Sequence, residues 1–441
     1  MSVLELTRSV VVEVDGLAGL AELEEAAVAF ARHAPGQLVG QTIENLAEAL
    51  LDVVVGRRRY PTAPDARPEA PWSCTRQRCS SRRGFRRRGF RSSDRKLQAA
   101  CGGVTFRTAQ VECLSCGRRF APVLGVLGLR PHQRRTDRLA ALAAGLATEV
   151  AYAKAARFLS DLTGIDVSPR TIRNDVVAAA PQRLGPEITD IPILLLDSTG
   201  ERAGPMLRGT QLHLALGLVA RRRHQGRLVC SVQLLAATLD ETWQAMGQLL
   251  DGVRPGLILV DGDGLLSEMV QERFPQVPVQ RCLWHLVRGM TYTAWREGAS
   301  KGHRWELRAR LSDVLADAHR HHDLARAHIA YHDLIDEMEH RGVLRAARYL
   351  KAAEPEVFTF ISHPDAGRLL FGDKGRPELA TGVLERVMRE LNRRTDVGVR
   401  WSIQGCRALL MLKLARKYHH PGWPWNPTAT QQPNVRFRLV T

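Results

Sequence analysis

The sequence has few acidic residues, few aromatic residues and no long apolar run. Asp and Glu number 46 against 63 Lys and Arg, a formal net charge of +17, and aromatic residues make up 6% of the 441 residues. A membrane-spanning helix needs roughly 18 consecutive apolar residues, and no stretch reaches that length. We therefore expect no membrane association. At about 100–200 residues per domain, the length allows two to four domains.

A secretion signal is also lacking. The first residues, MSVLELTRSVVVEVDG, do not run from a charged segment into an apolar one, as a signal peptide does. Eight cysteines in a chain of this kind do not indicate a disulfide framework. We expect a cytoplasmic protein.

The excess of positive charge is concentrated in one segment. Residues 76–96 contain ten Lys or Arg and one acid. A strong positive charge favours polyanions, and the arginine guanidinium pairs with phosphate in a bidentate way. The alternative is a basic loop that is merely solvated. Because the segment lies inside a cluster of cysteines, we predict DNA contact through Arg82, Arg83, Arg86, Arg87 and Arg88.

Two cysteine pairs predict a structural zinc site in residues 70–127. Cys113 and Cys116 have the close spacing of a zinc knuckle, and Cys74 and Cys79 form a looser pair. Zinc takes four tetrahedral ligands, and closely spaced thiolates supply them in pairs. Alternating residues in VTFRTAQVEC predict a strand, with RFAPVLGVL as the return strand. The pattern indicates a zinc ribbon with an arginine-rich arm, in which Cys101 is an alternative ligand.

Two helical regions flank the predicted ribbon. Residues 1–60 have apolar residues at helical spacing in LAGLAELEEAAVAFARHA and in QTIENLAEALLDVVV. Residues 130–185 predict three short helices, the last with Ser168 as N-cap and Pro169 at its first position. This order resembles a helix-turn-helix, whose second helix enters the major groove of double-stranded DNA. Ordinary packing of a small bundle is the alternative. The predicted DNA contacts are Arg170 and Arg173.

The second half of the chain alternates strands and helices and then becomes helical. Residues 190–285 predict an α/β sheet with an antiparallel edge. Residues 286–378 predict helices rich in His and Arg, and we interpret the histidines as a solvated polar face rather than a metal site. A helix resumes in residues 379–420, and residues 421–441 form an irregular tail.

Three acids lie at positions where an acidic side chain is unfavourable unless it has a function. Asp197 ends the apolar run ILLL, Asp261 ends GLILV, and Glu385 lies on a later helix. Acids at the ends of neighbouring strands lie at the mouth of a sheet, and a cluster of like charges is stable when divalent metal fills it. Two Mg²⁺ or Mn²⁺ ions in such a site support phosphoryl transfer. Asp263 and Glu390 are the alternatives, and Asp197 also fits a turn or cap residue.

The stretch RCLWHL raises a separate question. Cys282 and His285 have the spacing of half a zinc site, but no second half lies close by in the sequence.

The order of these motifs resembles that of a bacterial insertion-sequence DDE transposase related to the Mutator-like group. The resemblance is to elements with an N-terminal zinc ribbon, of the ISLre/ISKra kind, and covers residues of about 72–416. The matching stretches are CLSCGRRFAPVLGVLGL, VSPRTIRNDV, LLLDSTGER, LVDGDG, FPQVPVQRCLWHL and LERVMRELNRRTDVGVRWSIQG.

The resemblance implies a multidomain α+β protein. An RNase H-like α/β catalytic domain, interrupted by an all-helical insertion, would follow a zinc ribbon and a helix-turn-helix-like domain. Asp197 would lie on its first strand and Asp261 on its fourth, with Glu385 after the insertion. Cys282 and His285 would belong to this domain and lie near the active site. They would pack under the carboxylates or contact the DNA end, and they would not bind structural zinc.

Transposases of this kind cut at element ends and join the 3′-hydroxyl to target DNA as multimers, so the resemblance implies a homo-oligomer on nucleoid DNA. The first acidic motif reads DSTG where relatives commonly have DGTG, which changes the turn and keeps the carboxylate. Two other functions remain open. One is a nuclease or resolvase on the same sheet, and the other is a DNA-binding regulator with an inactive catalytic domain.

Overall fold

The computed structural model describes residues 20–56, 68–204, 210–224, 227–364, 381–396 and 401–423. They form a mixed α/β structure in two compact units. The first unit comprises the chain up to Leu146 together with Tyr152–Ile172, and the second comprises Ala147–Ala151 and the chain from Arg173. The general expectation of a multidomain chain with both helices and strands is confirmed.

The first unit begins with a single long helix, α1 (Leu20–Val55). The sequence indicates two helical stretches, but the helix continues through Pro35 between them. Gly36 and Gly40, one turn apart, let the backbone of a following strand approach, since a Cβ atom at Gly36 would lie 2.3 Å from the carbonyl oxygen of Gly103. Residues 1–19, part of the predicted helical region, lie outside the described residues.

The cysteine-rich part of the first unit contains a three-stranded sheet and a separate hairpin. The strands are β1 (Phe85–Phe90), β2 (Arg95–Ala99), β3 (Gly102–Phe106), β4 (Ala109–Cys113) and β5 (Arg119–Phe120). The sheet has the antiparallel order β1-β4-β5, and β2 pairs with β3. The predicted strand VTFRTAQVEC is therefore divided in two. The return strand is short, because Pro122 at a first helical position begins α2 (Pro122–Val126).

Three short helices follow, as the sequence predicts. They are α3 (Asp137–Ala147), α4 (Tyr152–Thr163) and α5 (Pro169–Ala179). Gly164, with a φ of 65°, ends α4, since glycine enters this conformation without a Cβ penalty. The Ser168 hydroxyl accepts a hydrogen bond from the backbone N–H of Thr171 at 3.1 Å and caps α5.

The second unit is built on a five-stranded mixed sheet. Its strands are β6 (Asp190–Glu201), β7 (Thr210–His224), β8 (Arg227–Leu239), β9 (Arg254–Val260) and β10 (Val279–Arg281). The spatial order is β10-β9-β6-β7-β8, with β6–β7 and β7–β8 antiparallel and β6–β9 and β9–β10 parallel. Residues 193–196 are buried in succession, as expected for a central strand covered on both faces.

Helices cover this sheet. Trp243 of α6 (Trp243–Leu249) and Met269 of α7 (Gly264–Arg273) pack in one core with Leu196 and Val260 of the sheet. After β10 the chain is helical, in α8 (Leu283–Arg296), α9 (Lys301–His321), α10 (Leu324–His340), α11 (Leu344–Val357) and α12 (Thr359–Ser362).

The last two described helices return to the sheet. They are α13 (Thr381–Thr395), which packs against β6, and α14 (Ile403–Lys417), which packs against β8. Residues 405–406 and 408–415 of α14 are buried, so this helix belongs to the core of the unit. The predicted tail is described only up to residue 423.

Candidate functional site

Four cysteines converge in the first unit. The Sγ atoms of Cys74 and Cys116 lie 3.5 Å apart, those of Cys79 and Cys113 lie 3.8 Å apart, and all four lie within 4.8 Å of one another. Four thiolates at tetrahedral angles around zinc, each about 2.3 Å from it, would be roughly 3.8 Å apart. The thiol positions therefore fit a zinc ion.

Two tight turns hold these thiols. The backbone N–H of Cys79 donates to the carbonyl of Arg76 at 2.9 Å, and that of Gly117 donates to the carbonyl of Cys113 at 2.8 Å. Gly117 has a φ of 70°, the left-handed conformation that closes such a turn.

The thiols differ in acidity. Burial raises the pKa of Cys74 to about 12, whereas the backbone N–H of Arg118 is the main cause that lowers the pKa of Cys116 to about 7. A bound cation would favour the thiolate at every position, because metal ligation deprotonates thiols.

Cys101, the alternative ligand, lies elsewhere. It packs against the separate cluster of Leu97, Ala99, Val104 and Phe106. The four convergent thiols are thus the better zinc ligands.

The arginines of the basic arm have different surroundings. Arg82 is exposed and has no ion pair among the described residues, and the exposed Arg83 lies 3.6 Å from Glu69. Arg86 and Arg88 both pair with Glu112.

Arg87 is held within the first unit. Its guanidinium pairs with Glu48 at 2.8 Å and with Asp52, both on α1, and its Nε donates to the carbonyl of Gly56 at 3.1 Å. Through these contacts the Arg87 side chain links β1 to α1. These contacts favour a structural role over the predicted DNA contact.

The N-terminal part of α5 presents polar residues to solvent. Arg170, Arg173 and Asn174 are exposed, while Ile172 and Val176 are buried. The two predicted DNA-contacting arginines are therefore accessible to a ligand.

In the second unit, strand register brings two predicted acids together. Leu195 of β6 pairs with Leu259 of β9, and Asp197 and Asp261 each lie two residues further along their parallel strands. The strand β6 continues beyond Asp197 as far as Glu201, but there it pairs only with β7. Asp197 thus lies where the pairing with β9 stops rather than at the end of its own strand.

The third predicted acid approaches from a helix. Glu385 lies half-buried on α13, which packs against β6. Asp197 is 4% exposed, and one of its oxygens accepts a hydrogen bond from the backbone N–H of Ser198 at 2.8 Å. Burial raises the pKa of Asp197 to about 7, and the negative charges of Asp261 and Glu385 add to the shift. The carboxylates of Asp261 and Glu385 are thus near enough to Asp197 for their charges to act on it.

The alternative acids have other partners. The Asp263 side chain accepts hydrogen bonds from the backbone N–H groups of Leu265 and Leu266 at 3.0 and 3.1 Å and so caps α7. Glu390 pairs with Lys417 and lies 3.9 Å from Lys413. These contacts favour Asp261 and Glu385 as the members of the acidic cluster.

The loop after β9 is shaped around an arginine. Nη1 of Arg281 donates to the carbonyl of Asp261 at 3.3 Å, and Nε of Arg281 pairs with Glu356 at 3.0 Å. Gly262 has a φ of 96°, and a Cβ atom there would lie 1.0 Å from Arg281 Nη1. Only glycine leaves space for this guanidinium, which fixes the backbone beside Asp261.

The structure also shows what Cys282 and His285 do. The buried Cys282 caps α8, with its Sγ accepting from the backbone N–H of His285 at 3.4 Å. Burial lowers the pKa of the His285 imidazole, while Asp261 and Glu385 oppose that shift. Within the described residues, Nδ1 of His285 is buried without a hydrogen-bond partner. His285 therefore lies beside the acidic cluster, and Cys282 has a capping role.

Sequence reasoning missed two cationic neighbours of the cluster. Arg281 fixes the Asp261 loop, and the positive charge of Arg288 partly offsets the rise that burial causes in the pKa of Asp197. Arg288 follows His285 by one helical turn, so the helical spacing of WHLVR is the signal that would have found it.

A further group of possible metal ligands lies on α10 and α11. His328 Nδ1 and His332 Nε2 lie 2.9 and 2.8 Å from the same oxygen of Glu354. These contacts tie the two helices together, in addition to the solvated face that the sequence predicts for the histidines.

The comparison with protein families identifies the class of protein. The model of the Mutator-family transposases matches residues 75–404, so the chain belongs to this family. Transposases bind DNA and cut and transfer its strands, which accounts for the basic charge. The comparison with curated proteins finds no match. Among the described helices, none is long and apolar enough to cross a membrane.

We predict that Cys113→Ser or Cys116→Ser reduces bound zinc from about one ion per chain to nearly none, because zinc needs all four tetrahedral thiolates. Elemental analysis of the purified full-length chain measures the content. Cys101→Ser is the matched control and should keep its zinc. Equal zinc in the control and the Cys116→Ser variant would contradict this ligand set.

We predict that substitutions of Arg82 and Arg87 affect different properties, DNA binding for Arg82 and folding stability for Arg87. Arg82→Gln should weaken duplex binding and reduce the slope of log affinity against log salt by about 1, as for one lost phosphate contact. Arg87→Gln should instead lower the free energy of unfolding by about 1–2 kcal/mol, since it removes the partner of Glu48 and Asp52. Fluorescence anisotropy and urea unfolding measure the two effects. A stable Arg87→Gln protein with weakened DNA binding would show that the assignment is wrong.

We predict that Asp197→Asn stabilises the protein at pH 8 in buffer without Mg²⁺ or Mn²⁺. The pKa of Asp197 is raised in the folded state, so the folded state binds more protons and its stability falls as pH rises from about 4 to about 7. The variant lacks this penalty and should gain roughly 1–4 kcal/mol above pH 7. Urea unfolding of both proteins at pH 5 and pH 8 measures the difference, with Asp263→Asn as control. A difference independent of pH would contradict the electrostatic account.

Proposed function

We propose that this Mutator-family transposase is a DDE enzyme that cleaves DNA at the ends of an insertion element and joins the 3′-hydroxyl to target DNA. The observation that carries the proposal is the acidic cluster. The buried Asp197 has its pKa raised by burial and by the charges of Asp261 and Glu385, which come from a separate strand end and helix. Repulsion of this kind is relieved by divalent cations.

The sheet topology supports an RNase H-like domain. In chain order, three antiparallel strands are followed by two parallel ones, and their spatial order is β10-β9-β6-β7-β8. Asp197 lies on the first of these strands along the chain, and Asp261 follows the fourth. We propose residues 190–285 and 379–420 as the two parts of this domain. Residues 286–378, which include most of α8 and all of α9–α12, would be its all-helical insertion.

We infer that the three carboxylates bind a pair of divalent ions. Asp197, Asp261 and Glu385 would hold two Mg²⁺ or Mn²⁺, which supply an activated water or 3′-hydroxyl and stabilise the leaving oxygen. Contacts within the protein hold two of these ligands. The Ser198 N–H fixes the Asp197 carboxylate, and Arg281 fixes the backbone of Asp261 through the space left by Gly262. His285 and Arg288 lie beside the cluster, where Arg288 would bind a phosphate of the DNA strand.

DNA binding would involve the first unit and α5. We propose a zinc ribbon at residues 70–127, stabilised by Zn²⁺ on the four thiolates, and a helix-turn-helix-like domain at residues 130–185. Exposed arginines of both segments support contact with double-stranded DNA, at Arg82, Arg83, Arg86, Arg88, Arg170 and Arg173.

The wider assignment follows from the same features. The cysteine cluster before the acidic residues supports the group with an N-terminal zinc ribbon, of the ISLre/ISKra kind. Because two element ends must be paired, we propose that the protein works as a homo-oligomer on DNA, at the nucleoid in the cytoplasm. Ser198 replaces the glycine common in relatives, and its backbone N–H still holds the Asp197 carboxylate.

The test is cleavage of labelled duplex DNA that carries the inverted repeats flanking the gene. Asp197→Asn, Asp261→Asn and Glu385→Gln should each reduce cleavage with Mg²⁺ by roughly 100-fold or more, since each removes a metal ligand worth several kcal/mol to the transition state. Binding of the same DNA should persist. The matched controls, Asp263→Asn and Glu390→Gln, should cut like the parent.

Other outcomes distinguish the alternatives. Cleavage without joining to target DNA would indicate a nuclease or resolvase. Binding without cleavage by the parent would indicate a regulator. Normal cleavage by Glu385→Gln would show that the third ligand is wrong.

A further inference from the structure

A groove between α8 and α9 combines aromatic and basic side chains. It encloses about 310 Å³ and is lined by Trp284, Arg288, Tyr292, Trp295, Arg304 and Arg308 among others, with no acidic residue in its lining. Its volume lies at the lower end of the range of roughly 300–1,000 Å³ that holds small planar ligands.

Helical spacing accounts for the groove. Trp284, Arg288 and Tyr292 follow one another at four-residue intervals on α8, and Trp295 lies three residues further on, so they share one face. The opposite face carries Leu286 and Met290, both buried. The core of the helical segment therefore does not need these aromatic rings, which lie on the side of α8 that faces solvent.

The exposure of these rings is the unusual feature. Trp284 is 40% exposed, Trp295 is 53% exposed and Tyr292 is 56% exposed. Single exposed apolar residues are ordinary, but a contiguous patch of large aromatic side chains with polar neighbours marks a binding surface. The groove thus offers flat apolar faces that no described part of the chain covers.

The arginines of the groove are available to a ligand. Within the described residues Arg288, Arg304 and Arg308 form no ion pair, and Nε of Arg304 is buried without a hydrogen-bond partner. The guanidinium of Arg288 lies over the Trp284 ring at 5.1 Å from its centre. Stacked aromatic and guanidinium planes beside unpaired positive charge suit the bases and phosphates of one nucleic-acid strand.

The groove begins beside the acidic cluster. The helix α8 starts directly after β10, which pairs with β9, and Asp261 follows β9. His285 on α8 is close enough to Asp261 and Glu385 to be affected by their charges, and Arg288 is close enough to affect Asp197. A strand whose phosphodiester lay at the carboxylates would therefore have its next nucleotides near Trp284 and Arg288.

We propose that the groove binds unpaired bases of the DNA strand held at the acidic cluster, by stacking on Trp284, Tyr292 and Trp295 and by phosphate contacts to Arg304 and Arg308. The proposal rests on the proposed function, because that function brings the DNA strand to the acidic cluster. Its binding chemistry does not depend on cleavage. Charge complementarity favours a nucleic-acid strand over a protein segment, because the lining is basic and aromatic.

The experiment measures binding of a fluorescent single-stranded oligo-dT to the full-length protein by anisotropy, at fixed salt and without divalent ions. Base–aromatic stacking is worth about 1–3 kcal/mol per base, so Trp284→Ala or Trp295→Ala should weaken binding roughly 5- to 100-fold. Trp295→Phe should restore most of the affinity. Arg304→Gln should reduce the dependence of affinity on salt, which the aromatic substitutions should leave unchanged.

The control is Ile329→Ala, because Ile329 is a large apolar residue that is 64% exposed on α10 and does not line the groove. It should bind oligo-dT like the parent, and all variants should keep the affinity of the parent for duplex DNA. The proposal is overturned if the parent does not bind oligo-dT, if the groove variants bind it as the parent does, or if Ile329→Ala loses as much. Loss of self-association in Trp295→Ala, with oligo-dT binding unchanged, would identify a second copy as the occupant instead. If the parent binds oligo-dT as expected but does not cleave DNA, only the proposed function is overturned.

Discussion

Burial of the Asp197 carboxylate is the constraint on which the second unit depends. Asp197 is buried where the pairing of β6 with β9 stops, and its pKa is about 7 because of burial and of the charges of Asp261 and Glu385. A fold under selection for stability alone would not place an acid there, since burying a charge without a counterion is unfavourable. The strand register brings Asp261 towards Asp197 in spite of this cost, and the Arg281 contact fixes the backbone beside Asp261.

The first unit has a comparable arrangement with different chemistry. Four thiols lie within 4.8 Å of one another, and tight turns hold them in position. This cysteine cluster could hold a metal ion, whereas the cation site in the second unit is a proposal. The remainder of the chain is basic, as a DNA-binding transposase requires.

Local patterns predicted much of this arrangement. The apolar runs that end in Asp197 and Asp261 indicate buried parallel strands, and those two strands are adjacent in the sheet. Glu385 stays a prediction, and the structure adds that the alternative, Glu390, pairs with Lys417 and lies near Lys413. The zinc knuckle and the Ser168 cap are likewise short-range features that a sequence displays directly.

Long-range contacts were not predictable in the same way. Arg87 appeared to be one more arginine of a basic arm, but its partners Glu48 and Asp52 lie on a helix distant in the sequence. The division of VTFRTAQVEC into two strands depends on how the chain turns between two separate sheets. The aromatic groove requires the packing of α8 on α9, and single-helix periodicity alone does not show which face stays exposed.

Binding of Mn²⁺ to the full-length protein tests the central claim most directly. With zinc already bound at the cysteines, the paramagnetic resonance signal of free Mn²⁺ reports how many further ions bind at pH 8. The account predicts about two ions for the parent, as in two-metal phosphoryl-transfer sites, and fewer than one for the Asp197→Asn, Asp261→Asn double variant. Equal Mn²⁺ binding by the two proteins, or none by the parent, would contradict the claim that these carboxylates form a divalent-metal site.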